Sequence, residues 1–439
     1  MEQRDLIAAI ATAPGIGAVG IVRVTGQGVP ALFEPLLGRS SLSPRVATLC
    51  SFLDADRAPI DRGLAIYFPA PRSYTGQDVL ELQGHGGPAV LELLMARCTE
   101  LGARPAQPGE FTYRAYMNGR IDLAQAEAVA DLIEAKSRAA ARSAVRALSG
   151  EFSAKVNALV EAVTRLRVLV EAHLDFPEED VELFSSRRAK KPLSDIRRAL
   201  DALSDSARGS QLLRGARVVL VGAPNVGKSS LLNKLAQEDI AIVTPLPGTT
   251  RDVVRATIHL HGVAVELLDT AGLRASRDPI EQIGMQRSRA MVSQAHLVLV
   301  VEDCSNPESS ALDLEEIEPG TPRIRVMNKV DLLPHVPPDS ASQMFVSART
   351  GYGMDAVRTR IVQTLGLAHL EEGTFLARQR HVQALDQASV HVDAATQADD
   401  LVLLAEELRL AQSALGQITG QVSTEDLLGE IFSTFCIGK

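Results

Sequence analysis

With 439 residues, 46% of them apolar, and a net charge of −9, the chain has material for about two to four domains, each with its own core. A molecule of pI near 5.6 is excluded as one that wraps a polyphosphate chain by long-range attraction, so any nucleic-acid contact is local or shared. Four scattered cysteines, Cys50, Cys98, Cys304 and Cys436, exclude a disulfide framework and a C-x-x-C zinc site, and they fit a reducing cytoplasm.

The opening MEQRDLIAAI resembles neither a secretory signal nor a transit peptide. No window approaches the roughly 18 apolar residues of a membrane span. The terminal Cys436-Ile437-Gly438-Lys439 fits a prenylation signal badly. Tryptophan is absent, so an aromatic platform for single-stranded RNA is not evident.

In chain order, residues 1 to about 118 carry strand-like runs at Leu6 to Ala11, Gly20 to Val24, Gly63 to Phe68 and Val79 to Leu82, which predicts an α/β or α+β domain. From Asp122 the composition turns to alanine- and leucine-rich helix, with Asp122 as N-cap and Gln125 closing a capping box. The helical pattern runs to about Gln211. It contains acidic Glu178, Glu179 and Asp180 followed by basic Arg187, Arg188, Lys190 and Lys191. This pair reads as a solvated connection, with an RNA contact as the alternative. Strands and helices alternate from Arg217 to about Leu367, and helix returns from Glu371 through Phe435. The two helical stretches flank the alternating module, so the expected architecture is one discontinuous helical domain with the module inserted. Four domains in a row is the competing arrangement.

The module opens on Arg217 to Leu232, RVVLVGAPNVGKSSLL. The continuous apolar Val218 to Val221 predicts a strand buried on both faces. Gly222 to Ser229 then matches G-x-x-x-x-G-K-[ST]. In that phosphate loop, backbone N–H groups of Asn225, Val226, Gly227, Lys228, Ser229 and Ser230 wrap the phosphates. Lys228 neutralises charge and the Ser229 hydroxyl ligates magnesium. Val263 to Leu268 predicts a strand ending in Asp269-Thr270-Ala271-Gly272, which puts a carboxylate near the metal and the Gly272 N–H near the terminal phosphate. Ile324 to Met327 predicts another, ending in Asn328-Lys329-Val330-Asp331. Asp331 can accept from the guanine N1–H and 2-amine, which adenine cannot offer, while Asn328 braces the site. Ser347-Ala348-Arg349 suits the base's O6. Between phosphate loop and D-T-A-G lies Thr244-Pro245-Leu246-Pro247-Gly248-Thr249-Thr250, a switch segment in which Thr250 reaches magnesium. Leu273 stands where many such switches carry a water-orienting glutamine, so another group must do that work. The Asn225 side-chain oxygen lies beside the phosphates and could help to hold a monovalent cation.

Beyond the nucleotide motifs the chain carries Gly15-Ile16-Gly17-Ala18-Val19-Gly20-Ile21-Val22-Arg23, Val79 to Gly87 (VLELQGHGG), Gly109-Glu110-Phe111-Thr112, Asn118 to Glu127 (NGRIDLAQAE) and the terminal Phe435-Cys436-Ile437-Gly438-Lys439. Over essentially its whole length it resembles the MnmE/TrmE family of tRNA modification GTPases.

The resemblance implies a multidomain α/β plus all-α fold. An N-terminal folate-binding and dimerising α/β domain spans 1–118, a helical domain is built from 119–211 and 370–439, and an inserted Ras-like P-loop GTPase domain spans 212–369. It implies potassium bound by the Asn225 side chain, the carbonyls of Thr244 and Leu246 and the Thr249 hydroxyl, with magnesium on Ser229 and Thr250. Proline at 245 and 247 departs from the family's more usual residues, but it biases Thr244 and Leu246 to extended geometry and keeps their carbonyls available. The water-orienting carboxylate falls on Glu281. A reduced folate, 5,10-methylenetetrahydrofolate or 5-formyltetrahydrofolate, falls on Arg23, Glu81, Arg120 and Lys439, with arginine at 120 where lysine is common. The implied partners are a second copy of the chain, tRNA, and a flavin-dependent protein of the MnmG/GidA type that carries the FAD. The implied reaction is potassium-activated GTP hydrolysis driving addition of an aminomethyl or carboxymethylaminomethyl group at C5 of the wobble uridine. A ribosome-assembly GTPase shares the nucleotide motifs but lacks the folate-type domain, and a nucleotide-gated scaffold without turnover is a further alternative.

Overall fold

The structure is a computed structural model that describes residues 5–175, 186–237, 255–269, 291–306, 320–340, 343–367, 375–422 and 424–438. It divides into two compact units. One comprises Met1–Ala130, Ala147–Arg197 and Gln387–Lys439, the other Asp131–Arg146 and Arg198–Asp386.

The first unit begins with strands β1 (Ile7–Ile10) and β2 (Gly17–Thr25), then helix α1 (Phe33–Leu37), β3 (Thr48–Leu53), β4 (Pro59–Phe68), β5 (Val79–Gly86), α2 (Pro88–Glu100), β6 (Arg104–Pro105) and α3 (Glu110–Met117). The six strands form one sheet in the order β3-β4-β5-β2-β1-β6. Alternation along β2 and β5 sends Val22, Val24, Leu80 and Leu82 to one face, where they pack with α1 and with Leu91, Leu94 and Cys98 of α2. Ile7, Ala9, Ala106 and Phe111 form a smaller cluster.

Four helices follow, the last two long: α4 (Leu123–Glu134), α5 (Arg138–Leu148), α6 (Glu151–Asp175) and α7 (Ser186–Gln211). The capping box of α4 is present. The Gln125 amide donates to Asp122 Oδ1 at 2.8 Å and the Asp122 amide to Gln125 Oε1 at 2.9 Å. The basic run at 187–191 is not the connection that the sequence suggested, because helix α7 already begins at Ser186, with Lys190 and Lys191 exposed to water on it. Glu178 to Asp180 lie outside the described residues.

The second sheet comprises β7 (Ala216–Val221), followed by α8 (Lys228–Gln237), then β8 (Arg255–Leu260), β9 (Val263–Asp269), β10 (Leu297–Asp303), β11 (Arg323–Asn328) and β12 (Gln343–Phe345), and α9 (Met354–Thr364) comes next. Strand order is β12-β11-β10-β7-β9-β8, parallel except for the β8–β9 pair. Val218 and Leu220 of β7 enter one apolar cluster while Val219 and Val221 enter another, so this strand is buried on both faces. Its neighbours are β10 and β9, which makes the end of β7 the point where the order of connection reverses and a ligand crevice opens.

The chain closes with α10 (Gln379–Gln397), α11 (Leu401–Thr419) and α12 (Glu425–Ser433). Val156, Leu159, Val163, Leu166 and Val170 recur at helical spacing along α6, which packs against α11 with its buried Leu404, Leu408, Ala411 and Leu415. Phe432 and Phe435 join Leu123 and Ala126 of α4 in a separate cluster.

Candidate functional site

The loop after β7 is shaped by close backbone approach. A Cβ on Gly222 would stand 2.3 Å from the Val301 carbonyl oxygen of β10, and one on Gly227, at φ +95°, would stand 2.3 Å from Asn328 Nδ2. Only glycine fits at either place. Asn225 adopts φ +65° and is exposed at the loop's crest. Lys228 opens α8 with its side chain turned back into the loop, its ammonium donating to the carbonyls of Gly222 at 2.9 Å and Ala223 at 3.1 Å. Burial lowers its pKa, and the Asp269 charge opposes that shift.

Parallel pairing of β7 and β9 sets Leu220 opposite Asp269, which brings the carboxylate under the start of α8. There the Ser229 hydroxyl donates to Asp269 Oδ2. Asp269 Oδ1 is buried and has no hydrogen-bond partner among the described residues. An acceptor oxygen left this way beside a serine hydroxyl fits a hard cation such as magnesium.

On the other side of β7, the register of β10 with β11 sets Asp303 opposite Asn328. Asn328 donates through Nδ2 to the Val226 carbonyl at 2.8 Å and accepts through Oδ1 from the Ala348 amide at 3.0 Å. One buried side chain thus ties the phosphate loop to the Ser347-Ala348-Arg349 loop. Lys329, at φ +69°, pairs with Asp303 Oδ2 at 2.6 Å. Burial acts to raise the Asp303 pKa, but hydrogen bonds from Lys329 and Ser305 outweigh it and hold the carboxyl below its usual range. Asp331 accepts from Ser347 Oγ at 2.5 Å and pairs with Arg349 at 2.8 Å. The Ser347 bond, with the Arg349 charge, keeps Asp331 an ionised acceptor.

The structure therefore gathers Asn225, Val226, Gly227, Lys228, Ser229, Ser230, Asp269, Asn328, Lys329, Asp331, Ser347, Ala348 and Arg349 at the strand ends of one sheet. Thr244, Pro245, Leu246, Pro247, Gly248, Thr249, Thr250, Thr270, Ala271, Gly272, Leu273 and Glu281 lie outside the described residues, as does Lys439. The sequence reading did not single out Asp303. Its signal is the acidic pair Glu302-Asp303 after the apolar run Leu297 to Val301, with Asp303 closing its strand as Asp269 closes β9.

The N-terminal sheet brings together a second group of the expected residues. The β2–β5 register places Arg23 opposite Glu81. The guanidinium grips the carboxylate through Nε at 2.9 Å and a second nitrogen at 2.8 Å, and Gln83 holds the other oxygen at 3.3 Å. The Arg23 guanidinium carbon lies 5.8 Å from the Phe111 ring and 6.0 Å from that of Tyr74. Its third nitrogen donates to the Gly438 carbonyl at 3.5 Å, bringing the C-terminal residues to this sheet. Arg23, Glu81 and Arg120 line one cavity of about 330 Å³ together with Arg45, Phe68, Arg72, Ser73, Tyr74 and Val79. Arg45 and Arg72 were not among the residues expected here.

The sheet order, the phosphate loop and the Asn-Lys-x-Asp strand end define a P-loop guanine-nucleotide-binding protein that carries a separate α/β domain and a helical domain. Residues 6–120 match the family model "GTP-binding protein TrmE N-terminus" and residues 123–436 match "MnmE helical domain". The chain is 54% identical over 444 aligned positions to the tRNA modification GTPase MnmE of Azoarcus sp. (strain BH72), covering 99% of this chain and 98% of that protein. It is 53% identical to the same-named protein of Thiobacillus denitrificans, with 99% and 98% covered. A solved structure, the G domain of the T. maritima FeoB iron transporter, aligns with 34% of this chain and 98% of its own at 28% identity and a TM-score of 0.28. The chain belongs to the MnmE family, also written TrmE.

Proposed function

We propose that the chain is a GTP hydrolase of tRNA modification. Its turnover drives, with a flavin-dependent MnmG/GidA-type partner, addition of an aminomethyl or carboxymethylaminomethyl group at C5 of the wobble uridine of certain tRNAs. The observation that carries the nucleotide reading is the buried Asp269 oxygen beside Ser229, without a partner among the described residues, under a loop that holds Lys228 inside it. The naming of relatives above 50% identity as tRNA modification GTPases supports the biological setting.

In this reading the loop amides and Lys228 bind the phosphates, Asp331 selects guanine and Asn328 fixes the distance between the two. The Gly272 amide meets the terminal phosphate, and Glu281 orients the attacking water that Leu273 cannot hold. Magnesium on Ser229 and Thr250 and potassium on Asn225, Thr244, Leu246 and Thr249 would offset charge developing on the phosphates, a role worth about 10³ to 10⁵ in rate when an arginine plays it. Arg23, Glu81, Arg120 and Lys439 hold a reduced folate as the one-carbon source. The working unit is a cytoplasmic homodimer. No residue of the nucleotide module is suited to uridine chemistry, so hydrolysis supplies motion and the partner's flavin supplies the redox step.

GTP turnover by the full chain is expected to be faster in potassium than in sodium buffer by about tenfold or more, which needs only about 1.4 kcal/mol at the transition state. Equal rates would remove the cation from the reading. Mass spectrometry of tRNA nucleosides from a strain lacking the protein is expected to show unmodified wobble uridine. Normal modification would overturn the assignment to tRNA.

A further inference from the structure

The cavity of the N-terminal sheet carries an uneven charge. Four arginines and one glutamate line it, and Glu81 is already matched by Arg23. Arg45, Arg72 and Arg120 remain, and among the described residues no carboxylate pairs with any of them. Three unmatched guanidinium groups converge on one cavity in a chain whose net charge is −9. Like charges brought together without a partner repel one another, so the arrangement suits a ligand that brings the anions.

The arginines are held at the mouth. Arg45 has φ +61°, donates its amide to the Tyr67 carbonyl at 2.7 Å and lays its guanidinium 5.6 Å from the Phe68 ring. That guanidinium also donates to the Arg72 backbone carbonyl, which holds Arg45 against the Arg72 main chain. All three unmatched arginines are exposed, whereas the Arg23–Glu81 pair is half-buried. The cavity is thus polar and neutral at its inner end and cationic at its rim. At about 330 Å³ it stands at the small end of ligand pockets and holds a ring system better than a ring system with its tail.

Resting on the folate reading above, we propose that the cavity selects reduced folates whose tail carries several γ-linked glutamates, with Arg45 and Arg72 joining Arg120 as the tail-binding residues. A single glutamate offers two carboxylates to three guanidinium groups. Each γ-linked addition brings one more carboxylate, placed along a flexible chain that can follow the rim. A run of RNA phosphates is the other polyanion of suitable charge, but it would meet these arginines on an open surface rather than around a pocket floored by an ion pair.

The test is equilibrium binding of 5-formyltetrahydrofolate with one or three glutamates to the full chain. Exposed ion pairs each contribute a factor of about 1.5 to 5, so the triglutamate is expected to bind about fivefold or more tighter. The advantage should shrink as salt rises from about 0.05 to 0.5 M. In Arg45→Ala/Arg72→Ala the ratio between the two ligands should fall toward one, and in Arg72→Glu it should fall further. If the monoglutamate binds and the triglutamate binds no better, the tail proposal is overturned while the folate reading stands. If neither binds, the folate reading falls and the proposal with it. If the two folates bind alike and a short RNA duplex loses affinity in the double variant, the arginines serve a phosphate backbone and the proposal is again overturned.

Discussion

Asp331 is anchored from both sides, by Ser347 Oγ and by Arg349, so its carboxylate is ionised and oriented before any base arrives. Asp331→Asn swaps one acceptor oxygen for a donor that faces the guanine amine. GTP affinity is expected to fall about a hundredfold or more, and xanthosine triphosphate, with a carbonyl in place of that amine, should bind better than GTP. Fluorescence titration with both nucleotides checks this, and unchanged GTP binding would remove Asp331 from base recognition. A second residue-scale expectation concerns Glu110 and Arg114, both almost fully buried and paired at 2.9 Å, with Asp5 and Arg104 completing the network. Burial raises the carboxyl pKa of Glu110, but bonds from Arg104 and Arg114 outweigh it and the folded value lies below the ordinary one. The pair's stabilisation is therefore fully present above about pH 4.3, the unfolded value. It is lost as pH falls through the depressed folded value. Glu110→Ala removes one of the two carboxylates that face Arg114 and leaves Asp5 as its partner, and it is expected to cost about 1.5 to 3 kcal/mol, the worth of a lost hydrogen bond to a charged group. Urea melts at pH 7 and at acid pH measure both effects. That Lys228, Ser229, Asn328 and Asp331 come together was legible because spacing within short segments places them at strand ends. The placement of Asp303, Arg45 and Arg72 was not, since it depends on strand register and on backbone pairing between distant segments.

Among the elements, the helix that begins at Leu123 was legible because its start signal is local. Asp122 and Gln125 exchange the two hydrogen bonds that their spacing predicts. Asp122→Ala should cost about 1 kcal/mol, read as a lower urea midpoint with an unchanged slope. A loss of several kcal/mol would mean that Asp122 does more than cap. Strand β7 was equally legible because its apolar run leads straight into the phosphate-loop pattern Gly222 to Ser229. By contrast β10 was missed although Leu297 to Val301 is fully buried. A short apolar run reads alike as a buried strand or a buried helix segment, and only pairing with β7 and β11 decides. In the N-terminal domain α1 and α3 went unread because short helices between strands leave few turns over which a period can show, and α2 went unread because exposed Leu93 beside buried Leu94 blurs its period.

At the scale of the whole molecule, the first unit is assembled from three separated stretches of chain, and its C-terminal end lies against its N-terminal sheet. The Gly109 amide donates to the Cys436 carbonyl at 3.3 Å, and the Gly438 carbonyl accepts from Arg23 at 3.5 Å. These contacts require Gly438 to adopt φ +95°, where a Cβ would stand 2.4 Å from the Ile10 carbonyl oxygen. That oxygen belongs to the backbone of β1 and cannot move aside like a flexible side chain. Gly438→Val must therefore lift the chain end off the sheet, and Arg23 loses the contact that steadies it between Tyr74 and Phe111. Phe432 and Phe435 remain in their own cluster with α4, so the fold should survive with its melting temperature little changed. Reduced-folate affinity of the full chain is expected to fall by about fivefold or more, the worth of roughly 1 kcal/mol. GTP turnover, whose phosphate and base residues all lie in the other unit, is expected to stay within about twofold, less than 0.5 kcal/mol. Unchanged folate binding in this variant would show that the chain end merely rests beside the cavity. Parallel loss of folate binding and of GTP turnover would show instead that the two sites are energetically coupled through the chain.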